Sequence, residues 1–325
     1  MKALDLSLLT PEISQALVAA FGNQAVDKLA AMAGGRSGAL LLSLSVAGSD
    51  YVLRKVDPAR PQHQVRLERE FACMAIAAER ELAPRLLYSD VANGIAIMAH
   101  IHGGALGRTP QHIERAARTL RHLHDGPAFP AGARLADIVA YFDGRLREKN
   151  GVGLPGRLTD IMAEIEFATA RFACSAPCHN DLNPTNILET ADSIFLIDWE
   201  TACMGDPFLD LAQLGVFNFP GREQREALLA SYLARAPIEL ECARMVLARV
   251  QALGFYAAGF ALFAALSGAA NEVEVVPLVM SDLLALLGAQ QGRVAPALVA
   301  ASLAAEMERE WASNECSVAR QLMLS

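Results

Sequence analysis

The sequence predicts an α+β fold in two parts, a small α+β N-terminal lobe and a larger, mostly helical C-terminal lobe. Three observations predict it. The first hundred residues alternate helical and strand patterns around a hairpin signal. From about residue 110 onward helical periodicity dominates. His102-Gly103-Gly104 stands where a linker belongs. The chain has 325 residues, 53% of them hydrophobic and 20% charged, enough to bury a large core. The expected division is residues 1–101 and 102–325.

Thr10-Pro11 is a helix start, and Ile13, Ala16, Leu17, Ala20 and Phe21 recur at helical spacing. One helix is therefore expected over Pro11–Ala33, broken by Gly34–Gly38. Ala39–Val46 and Tyr51–Val56 flank Ala47-Gly48-Ser49-Asp50 as a β-hairpin. Gln64–Arg80 follows as a helix, then Pro84–Tyr88 and Gly94–Ala99 as strands. The second part reads as helices over Gln111–His124, Arg134–Lys149, Thr159–Ala173, Arg222–Ala234, Leu240–Ala269, Val276–Leu287 and Ala295–Leu324. Ile187–Ile197 is its one strand-like exception.

Charge is unevenly spread. Residues 1–101 balance 10 basic against 10 acidic side chains, so the whole net charge of −8 falls after residue 101. An acidic chain argues against a nucleic-acid binder, which needs a basic surface. It fits a cation better than an anion as partner of the second part. The six cysteines form no C-x-x-C pair and read as reduced thiols. MKALDLSLLTPEIS holds no signal-peptide pattern, and a cytoplasmic location is expected. The uncharged run Ala252–Ala270 approaches a membrane span in length. With eight Ala and four Gly/Ser it reads better as a helix buried in a globular lobe, so no membrane partner is expected.

Chemistry concentrates in residues 177–211, PCHNDLNPTNILETADSIFLIDWETACMGDPFLDL. A hairpin turn centred at Asp192 would set Asn186 opposite Asp198. Directly opposed side chains can share one hard cation, and Mg²⁺ takes one or two oxygen ligands from protein. Asp181 precedes Asn186 by five residues, across a loop broken by Asn183-Pro184. A carboxylate there suits a base or orienter for an attacking hydroxyl. His179 reads as a histidine bonding the loop backbone. His100-x-His102 and His122-x-His124 lack the carboxylate company of a metal centre.

These residues resemble a known family. His179-Asn180-Asp181-Leu182-Asn183-Pro184-Thr185-Asn186, then Ile197-Asp198-Trp199-Glu200 and Gly205-Asp206-Pro207-Phe208-Leu209-Asp210-Leu211-Ala212, resemble the H-x-D-x4-N, I-D-W-E and G-D-P-x-x-D-L-A runs of the aminoglycoside phosphotransferase and choline kinase family. Leu120–His124 is similar to that family's L-x-x-L-H helix end. The resemblance implies a bilobal protein-kinase-like fold, with ATP and Mg²⁺ between the lobes. It implies Asp181 as catalytic base, Asn186 and Asp198 as metal ligands, and Asp210 as a brace for the catalytic loop. Trp199 reads as core packing.

In the first lobe the resemblance implies a basic residue on the third strand and a Glu on the next helix. Arg54 and Lys55 point to opposite strand faces, so only one can meet phosphate; Arg54 is favoured and Lys55 stays open. Glu70 is the favoured ion-pair partner, with Glu68 the exposed alternative. Gly34–Gly38 falls where a phosphate-covering loop belongs, which makes Gly35 and Ser37 nucleotide contacts. The hinge is expected at Met98–Ile101, with Ala99 and Ile101 offering backbone groups to adenine.

The function implied is transfer of the ATP γ-phosphate to a hydroxyl of a small molecule. The motif strings are most similar to choline/ethanolamine-type kinases and their thiamine-kinase relatives, so a cationic acceptor is favoured. An aminoglycoside or other metabolite kinase is the alternative, and a nucleotide-binding pseudokinase is a third.

Overall fold

The computed structural model describes residues 5–32, 39–57, 61–172, 175–268, 275–290 and 294–325. They form two compact units. The first holds residues up to Gly107 with Asp125–Gly132 and Thr185–Met204; the second holds Arg108–His124, Ala133–Pro184 and Gly205–Ser325. The first unit thus extends six residues past the expected boundary and gains two later segments. Chain order does not show this, because the Thr185–Met204 segment joins by backbone pairing, described below.

In chain order the N-terminal elements are α1 (Pro11–Phe21), β1 (Val26–Ala31), β2 (Leu40–Val46), β3 (Ser49–Lys55), α2 (Pro61–Glu79), β4 (Leu86–Asp90) and β5 (Ile95–Ala99). The strands build an antiparallel sheet ordered β1-β2-β3-β5-β4. The one long helix expected over Pro11–Ala33 is instead α1 followed by β1. Gly22 ends α1 at φ 62°, a left-handed value that only glycine adopts without strain, and Val26–Ala31 then pairs with β2. Thr10 caps α1 by accepting the Ile13 N–H. Ile13, Ala16 and Leu17 of α1 bury against Leu29, Leu42, Leu44, Leu53, Ile95 and Ile97 of the sheet. The β2–β3 hairpin turns through Ala47 and Gly48, both at positive φ, as a two-residue loop requires.

The remaining elements are α3 (Pro110–His124), α4 (Leu135–Asn150), α5 (Gly156–Thr169), β6 (Ala176–Cys178), β7 (Ile187–Glu189), β8 (Ile194–Leu196), β9 (Cys203–Gly205), α6 (Pro207–Phe217), α7 (Arg222–Leu233), α8 (Glu239–Leu266), α9 (Met280–Gln290), α10 (Pro296–Trp311) and α11 (Asn314–Leu324). The hairpin β7–β8 belongs to the first unit. Gly104 and Glu189 exchange backbone bonds of 2.8 Å, and the Leu196 N–H reaches the Leu82 carbonyl at 2.8 Å.

Helix α8 is the axis of the second unit, packed by α4, α6, α10 and α11. It is long and apolar enough to cross a membrane by length and composition, and 67% of its most apolar stretch is buried in the unit. At Gly254 the neighbours come close: a Cβ there would lie 2.7 Å from Met162 Sδ and 2.9 Å from Met307 Cε. The expected helix Ala295–Leu324 is two helices, because Ser313 ends the first and caps α11 by accepting the Cys316 N–H. Helix α6, read only as a motif, starts at an Asp206 cap and Pro207.

Candidate active site

The first unit carries a charged cluster on β3, α2 and the segment after β8. Successive residues of a strand face opposite ways, and Arg54 and Lys55 obey this. Lys55 turns toward α1, where its ammonium lies 3.1 Å from Glu12 Oε2 and 3.3 Å from Thr10 Oγ1. The Thr10 hydroxyl, which donates to Glu12 Oε2 at 2.6 Å, and then Lys55 hold the Glu12 carboxyl down at about 2. Arg54 turns toward α2 and is buried, its Nη1 2.5 Å from Glu70 Oε1. Glu200 stands 3.9 Å from the Arg54 guanidinium and 3.5 Å from that of Arg66. Burial pushes the Glu70 carboxyl up to about 7 against the attraction of Arg54, with Glu200 and Asp198 adding to the rise. Two buried atoms of the pair, Arg54 Nη2 and Glu70 Oε2, have no hydrogen-bond partner among the described residues. Glu68, the exposed alternative, takes no part in these contacts.

The hairpin register differs by one from the expectation. Ile187 pairs with Leu196 and Glu189 with Ile194, around a four-residue turn closed from Thr190 to Ser193. Asn186 therefore lies opposite Ile197, whose N–H bonds its carbonyl at 2.9 Å. Asp198 comes one residue later, at φ 64°, where the chain leaves the strand. That bend, rather than strand pairing, sets its side-chain direction. Asn186 is buried. Asp198 is exposed to water, yet the protein packed beside its carboxyl and then the charge of Glu200 hold that group above the usual range. Trp199 anchors the turn: it is buried, its indole N–H bonds the Leu196 carbonyl at 3.0 Å, and Phe129 stands edge-on at 6.0 Å. Arg69 adds a 2.7 Å bond to the Glu200 carbonyl.

Ala99 closes β5, and its amide donates to the Arg85 carbonyl at 2.9 Å. Ile101 follows, half-buried. Gly35 and Ser37 lie outside the described residues.

The second unit carries the loop His179–Asn183. Asp210, fully buried on α6, accepts the backbone N–H groups of His179 at 2.8 Å and Asn180 at 2.7 Å. His124 adds its Nε2 at 3.1 Å and holds the Tyr232 hydroxyl at 2.9 Å on the other ring nitrogen. This is the brace that the resemblance implied for Asp210. Gln213, three residues on and on the same helix face, was not singled out in the sequence. Its amide donates to the Asn180 carbonyl at 2.8 Å and accepts the Leu182 N–H at 3.3 Å. Asn180 sits at φ 63°, against Gly205, where a Cβ would lie 2.9 Å from the Asn180 side-chain oxygen. Asn183, also unassigned from sequence, donates to both oxygens of Asp181 at 3.1 and 3.2 Å. Cys178, His124 and Asp210 bring three donor atoms within 4.8 Å of one another. Asp210 already accepts three N–H groups, which marks the cluster as a brace and not a metal centre.

A family model described as "Phosphotransferase enzyme family" matches residues 28–246. The chain belongs to that family, and its fold is the bilobal protein-kinase-like one of choline kinases and aminoglycoside phosphotransferases. Among curated proteins, a LicA homolog of Mycoplasma capricolum is 26% identical over 154 residues, 47% of this chain and 59% of the relative. The thiamine kinase of Salmonella typhi is 31% identical over 202 residues, 57% of this chain and 64% of the relative. The chain therefore matches less than two thirds of the length of either relative. A solved choline/ethanolamine kinase family protein from Mesorhizobium loti superposes with a TM-score of 0.66 at 20% identity, over 98% of this chain and 96% of that one.

Proposed function

We propose that the protein is an ATP-dependent kinase that phosphorylates the hydroxyl of a small cationic alcohol. Asp181 carries the reading. It is a half-buried carboxylate oriented by Asn183, on a loop whose backbone is fixed by Asp210 and Gln213. In this role Asp181 accepts the proton of the acceptor hydroxyl. The acceptor oxygen bonds to the γ-phosphorus, and the bond from that phosphorus to the β–γ bridging oxygen breaks, releasing ADP. Positioning and charge do most of the work in such transfers.

The first unit supplies the cations and ligands. Arg54 Nη2, buried with no hydrogen-bond partner among the described residues and 3.9 Å from Glu200, is the group to meet phosphate oxygens, while Nη1 keeps Glu70. Asn186 and Asp198 fit Mg²⁺ by chemistry: hard oxygen donors, one of them a carboxylate that burial and then Glu200 hold above its usual range against the pull of Arg54 and Arg66. A bound Mg²⁺ would offset charge on the phosphoryl group.

The acceptor class rests on two supports. The acidic excess lies after residue 101, and the relatives named above include a thiamine kinase and a choline/ethanolamine kinase family protein. Choline, ethanolamine and thiamine each join a primary alcohol to a positive charge. The test is ATP consumption with Mg²⁺ against choline, ethanolamine, thiamine and an aminoglycoside, with Asp181→Asn alongside. Turnover with one of the first three, lost in D181N, is the expected result. Consumption only with the aminoglycoside would overturn the acceptor class, and full turnover by D181N would overturn the role of Asp181.

A further inference from the structure

The proposed reaction leaves one group beside Asp181 unused. Tyr256 lies midway along α8, the axis of the second unit, and is 5% exposed. Its ring is fixed by Phe217 at 5.0 Å and Phe255 at 5.3 Å. Its hydroxyl is buried and has no hydrogen-bond partner of good geometry among the described residues. A phenol in that state is costly, since a buried O–H without an acceptor loses its water at no return. The carboxylates it faces are Asp181 and Asp210. Asp210 already accepts N–H groups from His124, His179 and Asn180. Of the two, Asp181 is the carboxylate close enough to share the proton of the phenol.

We propose that Tyr256 is a positioning residue for Asp181: its hydroxyl donates to the carboxylate from α8, while Asn183 donates from the loop, and the two hold Asp181 toward the acceptor hydroxyl. The assignment rests on the reading of Asp181 as the group that meets the acceptor. Two donors from separate elements fix a carboxylate in plane, where a single amide leaves it free to rotate about that bond. Burial, together with the negative charge of Asp181, raises the phenol well above its ordinary value, so it stays protonated as a donor throughout the working range. Among the groups that face this carboxylate within the unit are Tyr256 from α8 and Asn183 from the loop, and Asp210 on α6 also acts on the phenol.

The test is Tyr256→Phe, which keeps the ring and its aromatic contacts and removes only the hydroxyl. With ATP, Mg²⁺ and choline as the assayed pair, kcat should fall about tenfold to a hundredfold while KM for ATP stays within about twofold, as a misplaced catalytic group predicts. A second readout needs no turnover. In protein labelled with [13Cγ]aspartate, the Asp181 resonance is identified by its loss in D181N and titrated in wild type and Y256F. Loss of a donor to the ionised form should raise its midpoint by about half a pH unit or more. An unchanged midpoint overturns the proposal, even if Y256F is slow. A raised midpoint supports it, even if choline is not turned over. If D181N retains turnover, the reading of Asp181 fails, and the titration still decides whether Tyr256 holds that carboxylate.

Discussion

Asp210 in the second unit and the Arg54–Glu70 pair in the first are both buried charge, and they are treated in opposite ways. Asp210 accepts three N–H groups within 3.1 Å and shows no orphaned atom. Arg54 and Glu70 share one hydrogen bond and leave an atom each without a hydrogen-bond partner among the described residues. A saturated buried carboxylate is finished structure; it fixes a loop and has nothing left to offer. A half-satisfied buried pair costs stability, which a fold retains where the spare group meets a ligand. The contrast separates brace from binding site more sharply than burial does, since both are buried.

The largest effect should come from removing the brace. Asp210→Ala leaves the His179 and Asn180 N–H groups buried without acceptors, at about 1–3 kcal/mol each. Calorimetry should show Tm lower by on the order of 10 °C, and phosphotransfer should be lost with it. A drop of only a degree or two would mean that the loop holds its shape unaided.

Arg54→Ala should behave differently. Glu70 is already inclined to take up a proton, because burial sets it near 7. Near pH 6 the variant should therefore fold almost as well as wild type. Nucleotide affinity should fall about thirtyfold or more, as expected for loss of one charge-assisted phosphate contact, read by titration calorimetry. A large loss of stability at pH 6 with unchanged affinity would make the pair a brace like Asp210.

How much of this was legible in the sequence follows from the same contrast. Motif residues with strong local constraints were legible: Asp210 as a brace, Trp199 as core, and, once the strand was placed, Arg54 rather than Lys55 as the partner of Glu70. Gln213 and Asn183 were not, since an amide carries no charge or spacing signal and its role depends on which backbone groups fold against it. The strand β1 was misread because Val26–Ala31 has no β-rich run, and its pairing with β2 is made far along the chain. The hairpin register slipped by one because turn length, not composition, sets it.

Glu70→Gln tests the cost of the half-satisfied pair. The folded-state value lies above the unfolded one, near 4.5, so the native chain binds the proton more tightly than the unfolded chain. Stability from this group is full below about pH 4.5 and is lost as pH rises through about 7. Wild type without ligands should lose on the order of 2–3 kcal/mol across that window, and E70Q should flatten the slope. An identical slope in E70Q would show that Glu70 does not carry the penalty.

The smallest effect bears on whether the brace is one residue or two. Gln213 makes two bonds to the loop, a donor bond at 2.8 Å to Asn180 and a weaker acceptor bond at 3.3 Å from Leu182. Gln213→Ala should cost about 1–2 kcal/mol, less than Asp210→Ala, because the loop keeps both bonds to Asp210. Gln213→Glu separates the two bonds. It preserves the acceptor and removes the donor, and it adds a charge next to a saturated carboxylate. It should therefore destabilise more than alanine does, with the excess growing as pH rises above the carboxylate range. If Q213A is silent, the loop hangs on Asp210 alone; if Q213E is the milder variant, the Leu182 bond is the stronger of the two.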